Sequence, residues 1–197
     1  MEIKQLFSSP FAFFQNKDLL NDLKQHIYEQ DIKGVESNCA IKLKKNLVES
    51  TFNFFNSEEI IIKKTVKFIA RSFGKFLNQL HNEDCHYDIT FNESWFHVGK
   101  KNSVHETHSH AMCSWCGIYF VQAGDEGSGD TVFCNPVVLT HQDVGLRQLA
   151  STSQERVLPK DGLLVFFPSY LRHHQSLYTG DKDRIVVAFN ISVTGIL

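Results

Sequence analysis

From Tyr87 onward the sequence breaks into short runs of β-branched and aromatic residues separated by Gly, Asp, Asn and Pro, with no helical stretch between them. The runs predict strands at Tyr87 to Gly99, Gly117 to Gln122, Thr131 to Cys134, Glu155 to Leu158, Leu163 to Phe167 and Arg184 to Val193. Six strands without intervening helices point to an antiparallel sandwich or barrel and exclude a parallel α/β sheet. The first 85 residues read instead as helix and irregular structure, so the expected arrangement is one domain over 1–197. In it, a helical support (1–85) buttresses a β core (86–197), with the boundary near residue 86.

Two helices are expected in the support. Leu19, Leu20, Leu23 and Ile27 fall at three- and four-residue spacings between Lys17 and Gln30 and make one apolar face. A longer helix is predicted from Asn56, which can cap it with Glu59 in capping-box position, to Leu80, with Ile60, Val66, Phe68, Ile69, Phe73, Phe76 and Leu77 at helical spacing. The weakly periodic stretch from Val138 to Gly162 is long for a connection and reads as a lid or substrate-binding loop.

Charge narrows the partners. Twenty basic and 22 acidic residues are spread through the chain without a run of one sign, so neither nucleic acid nor a membrane face is implied. Five cysteines without a regular framework, and a start lacking a secretory pattern, predict a reducing, cytoplasmic setting and a soluble protein. A free sheet edge leaves a homodimer open.

The histidines carry the chemistry. His97, His105, His108 and His110 lie close together in sequence, and His173 and His174 are adjacent. On an extended strand residues i and i+2 point the same way about 6.6 Å apart, so His108 and His110 can close on one ion at roughly 2.1 Å. Glu106 shares that face in a regular strand, but a three-residue ladder spans about 13 Å and does not close on one metal. A third ligand must come from elsewhere. The apolar run Leu163 to Phe167 ends at Pro168 and delivers His173 and His174 just beyond, where a strand hands a ligand to a barrel mouth. Eleven residues later, Arg184 opens a strand on which Arg184, Val186, Ala188 and Asn190 share one face, and its planar fork suits a carboxylate.

Three other motifs carry weaker signals. Cys113-Ser114-Trp115-Cys116 has zinc or dithiol spacing but no second pair, and reads as structural unless its thiols join His108 or His110 on zinc. Gly124, Gly127 and Gly129 precede a strand, not a helix, and read as a hairpin turn, not a phosphate loop. Ser169 lacks a nucleophile-elbow context and is given no nucleophilic role.

Taken in order, Glu93-Ser94-Trp95, His105-x-x-His108-x-His110, Gly117-Ile118-Tyr119-Phe120-Val121, the Gly-Ser-Gly turn at 127–129, Phe167-Pro168-Ser169-Tyr170-Leu171-Arg172-His173 and Arg184 to Asn190 resemble the short, prolyl-hydroxylase-like 2-oxoglutarate/iron(II) oxygenases of bacteria and phages. The resemblance covers about half the chain. It implies a double-stranded β-helix of the jelly-roll, cupin-like kind, an Fe(II) site of His108, His110 and distal His173, and Arg184 on the C5 carboxylate of 2-oxoglutarate. Tyr119 is the implied second contact, O2 the other co-substrate, and hydroxylation of an unidentified substrate the implied activity. The family pattern places Asp or Glu where this chain has His110. Glu106 supplies a carboxylate if the register differs, His105 can replace His108, and family spacing favours His173 over His174. Glu106 and Asn190 are expected to hold the histidine tautomers. Two other readings stand beside this one: a three-histidine cupin-like dioxygenase that does not use 2-oxoglutarate, and a non-enzymatic zinc-binding module.

Overall fold

The computed structural model describes residues 8–31, 44–82, 84–136 and 153–196. Nine strands and two helices run in the order β1 (Ala12–Gln15), α1 (Leu20–Asp31), β2 (Lys44–Glu49), a 3-10 turn (Phe54–Asn56), α2 (Ile60–His81), β3 (Tyr87–His108), β4 (Trp115–Gln122), β5 (Thr131–Cys134), β6 (Gln154–Val157), β7 (Leu163–Pro168), β8 (His173–Tyr178) and β9 (Arg184–Ile196). All pair antiparallel in the order β1-β7-β4-β9-β3-β8-β5-β6, with β2 beside β3. This curled antiparallel sheet with helices against one side is a double-stranded β-helix, as the resemblance implied.

The long β3 joins the two halves. Its first part, Tyr87 to Gly99, pairs with β9, and its second part, Ser103 to His108, pairs with β8. Between them Asn102 takes a left-handed backbone, φ 65°, and opposite it Asn46, φ 51°, interrupts the register of β2. The Asn46 side chain donates to the Lys101 carbonyl at 3.2 Å, so the two kinks hold each other. The sequence pattern ends this strand at Gly99; cross-strand pairing with β2 and β8 carries it nine residues further, to the first metal-binding candidate.

Strand alternation then sorts the side chains. From β4, β7 and β9 the residues Tyr119, Val121, Leu164, Phe166, Ile185, Val187, Phe189 and Ile191 face the helices, where Leu23, Ile27, Ile62, Ile69, Phe73, Phe76 and Leu77 complete an apolar core. Phe120, Val165, Phe167 and Val186 point the other way, into the barrel, with Phe133 and Leu171. Gly117 is obligatory here, since a Cβ would lie 2.2 Å from the Phe189 ring.

The N-terminal part departs from the expected helical support, because β1 pairs with β7 and β2 with β3. Helix α2 begins at Ile60 with Glu59 as N-cap and no side-chain capping bond; Asn56 belongs to the preceding 3-10 turn. Burial of Phe54 and the Phe55 N–H bond to Ser94 Oγ (2.8 Å) fix that turn and override the local capping signal. The turn at 127–129 is not a hairpin: β4 pairs with β7 and β9, β5 with β6 and β8, so this link crosses between the halves. Of the expected lid from Val138 to Gly162, residues 138–152 lie outside the described residues, and Gln154–Val157 form β6 on β5. Among the described residues no helix is long and apolar enough to cross a membrane.

Candidate active site

His108, His110 and His173 come together inside the barrel, with their ligand nitrogens within 4.8 Å of one another. His108 closes β3 and lies opposite His173, the first residue of β8. His110 stands two residues past the strand, not on it, and its N–H donates to the Ser169 carbonyl at 3.2 Å, tying the loop to the turn after β7. That turn, 169–172, reverses the chain so that His173 enters a strand of its own. The sequence pattern places His173 beyond a strand, whereas it opens β8, which has no β-branched residue and exists through pairing with β3 and β5.

Two tautomers are fixed by backbone. Nδ1–H of His108 donates to the Glu106 carbonyl at 2.7 Å and that of His173 to the Leu171 carbonyl at 2.9 Å, so each presents Nε2 as a lone pair. Burial, reinforced by the neighbouring imidazoles, pushes His173 down from 6.5 to about 3. It is therefore neutral at physiological pH and meets a cation without losing a proton. Three imidazoles suit a divalent transition metal such as iron. Glu106 contributes its carbonyl here, while its side chain is exposed. The His105 ring stacks on His108 at 4.1 Å, and His174 shares a hydrogen bond with Thr107 at 3.3 Å. Neither belongs to the trio.

Arg184 lines the same cleft and is 3% exposed. Its Nε donates to the Gly129 carbonyl and its Nη1 to Gln175 Oε1, both at 2.9 Å, and Gln175 is anchored on Ser103. The left-handed Gly129, φ 75°, allows that approach; a Cβ there would sit 3.0 Å from the arginine Cδ. The guanidinium lies 5.3 Å from the Phe120 ring centre. Burial pushes it down to about 10, opposed by Tyr178 and Asp130, so it stays charged at neutral pH. Val186 and Ala188 line the cleft beside it, as the alternation of β9 requires.

The partners of some cleft residues carry no sequence signal. The His97 imidazole and the Glu49 carboxylate form a buried pair at 2.5 Å, with His97 on the cleft wall. Thr131 and Gln175, opposite each other on β5 and β8, are buried beside Arg184. Their alternation with Phe133 and His173 is a signal only once β8 is known to be a strand.

Other expectations resolve differently. Tyr119 falls on the helix side of β4; its hydroxyl donates to the Asn16 carbonyl at 2.9 Å, its ring lies 5.7 Å from Phe68, and burial pushes its pKa up. It does not line the cleft. Alternation decides this, since Cys116, Ile118 and Phe120 take the barrel side. Asn190 donates to Glu93 at 2.9 Å and accepts from Cys116 at 3.4 Å, so it holds no histidine tautomer. Cys113 and Cys116 are 3.9 Å apart at sulfur, and burial pushes both thiols up, which disfavours the thiolates zinc would need. Ser169 Oγ donates to the Cys113 carbonyl and has only a structural role.

Comparison with known proteins agrees with this geometry. Residues 93–190 match the family model described as "Putative 2OG-Fe(II) oxygenase". No curated protein sequence matches. The fold is similar to that of a prolyl-4-hydroxylase from Pseudomonas putida (TM-score 0.67, 11% identity, 96% of each chain covered). It is also similar to a prolyl hydroxylase from Trichoplax adhaerens in complex with a peptide fragment of the hypoxia inducible factor oxygen degradation domain (0.61, 11%, 92% of this chain and 83% of that one). A third likeness is to HygX from Streptomyces hygroscopicus with nickel and 2-oxoglutarate bound (0.60, 10%, 94% and 83%). At these identities the likeness is one of fold.

Proposed function

This chain belongs to the 2OG-Fe(II) oxygenase family, an oxidoreductase family using iron and 2-oxoglutarate, and from that premise we propose that His108, His110 and His173 hold the iron and Arg184 anchors the co-substrate. The observation that carries this reading is the convergence of three imidazoles, two with Nδ1 tied to backbone carbonyls, on the cleft that also holds a buried guanidinium. With iron and 2-oxoglutarate bound, the family's chemistry couples oxidative decarboxylation of the 2-oxo acid to oxidation of a substrate, here hydroxylation of a C–H bond.

The protein's own contribution is positional. Gly129 and Gln175 fix the arginine so that its remaining N–H groups meet the C5 carboxylate, a charge-assisted contact in a low-dielectric site. Phe167 lines the cleft, and Phe120 and Phe133, packed in the same apolar cluster, border Arg184 and His173 and limit water there. His110 in place of a carboxylate leaves the protein ligands uncharged, so the co-substrate supplies the negative charge at the metal. Pairing of β1 and β2 into the barrel sheet supports reading the chain as one domain. A cytoplasmic setting belongs to the same proposal, supported by four described cysteines that form no disulfide.

The test is anaerobic titration of iron(II) and then 2-oxoglutarate, following the visible charge-transfer band that chelation of a 2-oxo acid produces. The reading expects a band that is lost in both His173→Ala and Arg184→Ala. Bound metal without any band would turn the assignment toward a three-histidine dioxygenase that does not use 2-oxoglutarate.

A further inference from the structure

Among the described residues lining the cleft, Trp95 alone has a buried polar side-chain atom without a partner: its indole Nε1. Buried donors are almost always paired, and an orphan in a polar cleft marks a place where a ligand supplies the acceptor. Packing does not explain the choice of residue. The ring lies 5.3 Å from Phe52 and 5.7 Å from His110, contacts that phenylalanine could make without burying an N–H.

The position of Trp95 limits what the acceptor is. It lies opposite Ala188 on β9, four residues from Arg184, so the two rungs are about 13 Å apart along the strand. Both side chains line the same cleft, the guanidinium held on Gly129 and Gln175 and the indole 5.7 Å from the metal-binding candidate His110. A ligand that satisfies both must be extended and carry an oxygen acceptor at each end. A dicarboxylate does so, one carboxylate on the guanidinium and the other beside the histidines, where an indole N–H makes a charge-assisted bond.

We propose that the Trp95 indole N–H is a binding contact for the metal-side carboxylate of the 2-oxo acid. The proposal rests on the assignment of the trio and Arg184 made above, and makes Trp95 a determinant of co-substrate affinity. Phe52, half-exposed over the indole, then shields the contact from water.

The chain has two tryptophans, and Trp115 packs on Phe73 and Phe76 on the helix side. Trp115→Phe therefore leaves Trp95 as the sole indole fluorophore. In that background the nickel(II) protein is titrated with 2-oxoglutarate by Trp95 emission and by calorimetry, and both are expected to saturate together. The titration is repeated with Trp95→Phe and with Trp95 replaced by 3-benzothienylalanine, which keeps the bicyclic shape and loses the N–H. Both are expected to bind 2-oxoglutarate about tenfold more weakly with nickel affinity unchanged. If the benzothienyl protein binds 2-oxoglutarate as tightly as its parent, the proposal is overturned and the assignment of the trio and Arg184 stands. If the unaltered nickel protein does not bind 2-oxoglutarate, both fall together.

Discussion

The two faces of β9 differ in kind. Toward the helices it presents Ile185, Val187, Phe189 and Ile191, all fully buried and packed on α2 and neighbouring strands. Toward the barrel it presents Arg184, Val186 and Ala188, which line a cleft shared with three histidines. One strand thus serves two purposes through the period of two in its side chains. The apolar face supplies stability by removing area from water, about 1.5–3 kcal/mol for each large side chain. The barrel face buries charge and imidazole, which oppose folding until a ligand engages them.

Substitutions on opposite faces should therefore separate stability from binding. The largest effect is expected on the helix side. Phe166 is fully buried against Phe14, Phe73, Phe76 and Phe189, and Phe166→Ala should cost about 3–5 kcal/mol in urea unfolding. Metal affinity per folded molecule should stay unchanged. A loss of metal binding in the folded fraction would mean that the two faces are not independent.

On the barrel side His173 makes the apo protein acid-labile. Its folded pKa of about 3 lies below the usual 6.5, so below pH 6.5 the unfolded chain takes up a proton that the folded chain refuses. The stability is whole above pH 6.5 and declines as pH falls toward 3, by about 3 kcal/mol between pH 7 and pH 4. Chemical denaturation of metal-free protein at these pH values measures it. His173→Phe should flatten the profile and abolish metal binding. An equally steep profile in the variant would assign the acid lability to another group.

Arg184 comes next. Arg184→Met removes the guanidinium while keeping an apolar stem, and should lower 2-oxoglutarate affinity by about 1.5–3 kcal/mol, roughly ten- to a hundredfold, in calorimetry on the metal-loaded protein. Its folding cost should be smaller than that of Phe166→Ala, since loss of a buried charge offsets the stranded Gly129 carbonyl and Gln175 amide.

Legibility in the sequence follows the same division. Strand β9 is an apolar run behind Arg184, and the period of two sorts it into a face of Arg184, Val186 and Ala188 and a face of Ile185, Val187 and Phe189, so the place of Arg184 is readable from spacing. The three histidines are readable as a cluster because imidazoles at His108, His110 and His173 have no packing explanation. The route by which they meet is not. Residues Ser103 to His108 are polar apart from Val104, and they become a strand because β2 and β8 flank them. Glu49, which pairs with His97, stands 48 positions away on a strand that adds to the sheet through tertiary pairing. Register errors follow from the same cause: a shift by one residue sends a side chain to the opposite face, and an aromatic near the motif does not announce which face it takes.

Tyr119 is the case that tests this. Its position between Ile118 and Phe120 puts it on the helix side, where its hydroxyl holds the Asn16 carbonyl at 2.9 Å and its ring packs near Phe68. Tyr119→Phe keeps the ring and deletes one hydrogen bond, so it should cost about 1 kcal/mol of stability. It should leave 2-oxoglutarate affinity within calorimetric error of the parent. Equal stability with weakened co-substrate binding would place Tyr119 in the cleft and require β4 to be shifted by one residue, which would turn Phe120 toward the helices. The burial of Phe120 under Arg184 opposes that shift, because the guanidinium would lose the ring 5.3 Å away that covers it. A small effect in this one variant thus reports on the register that divides the whole strand.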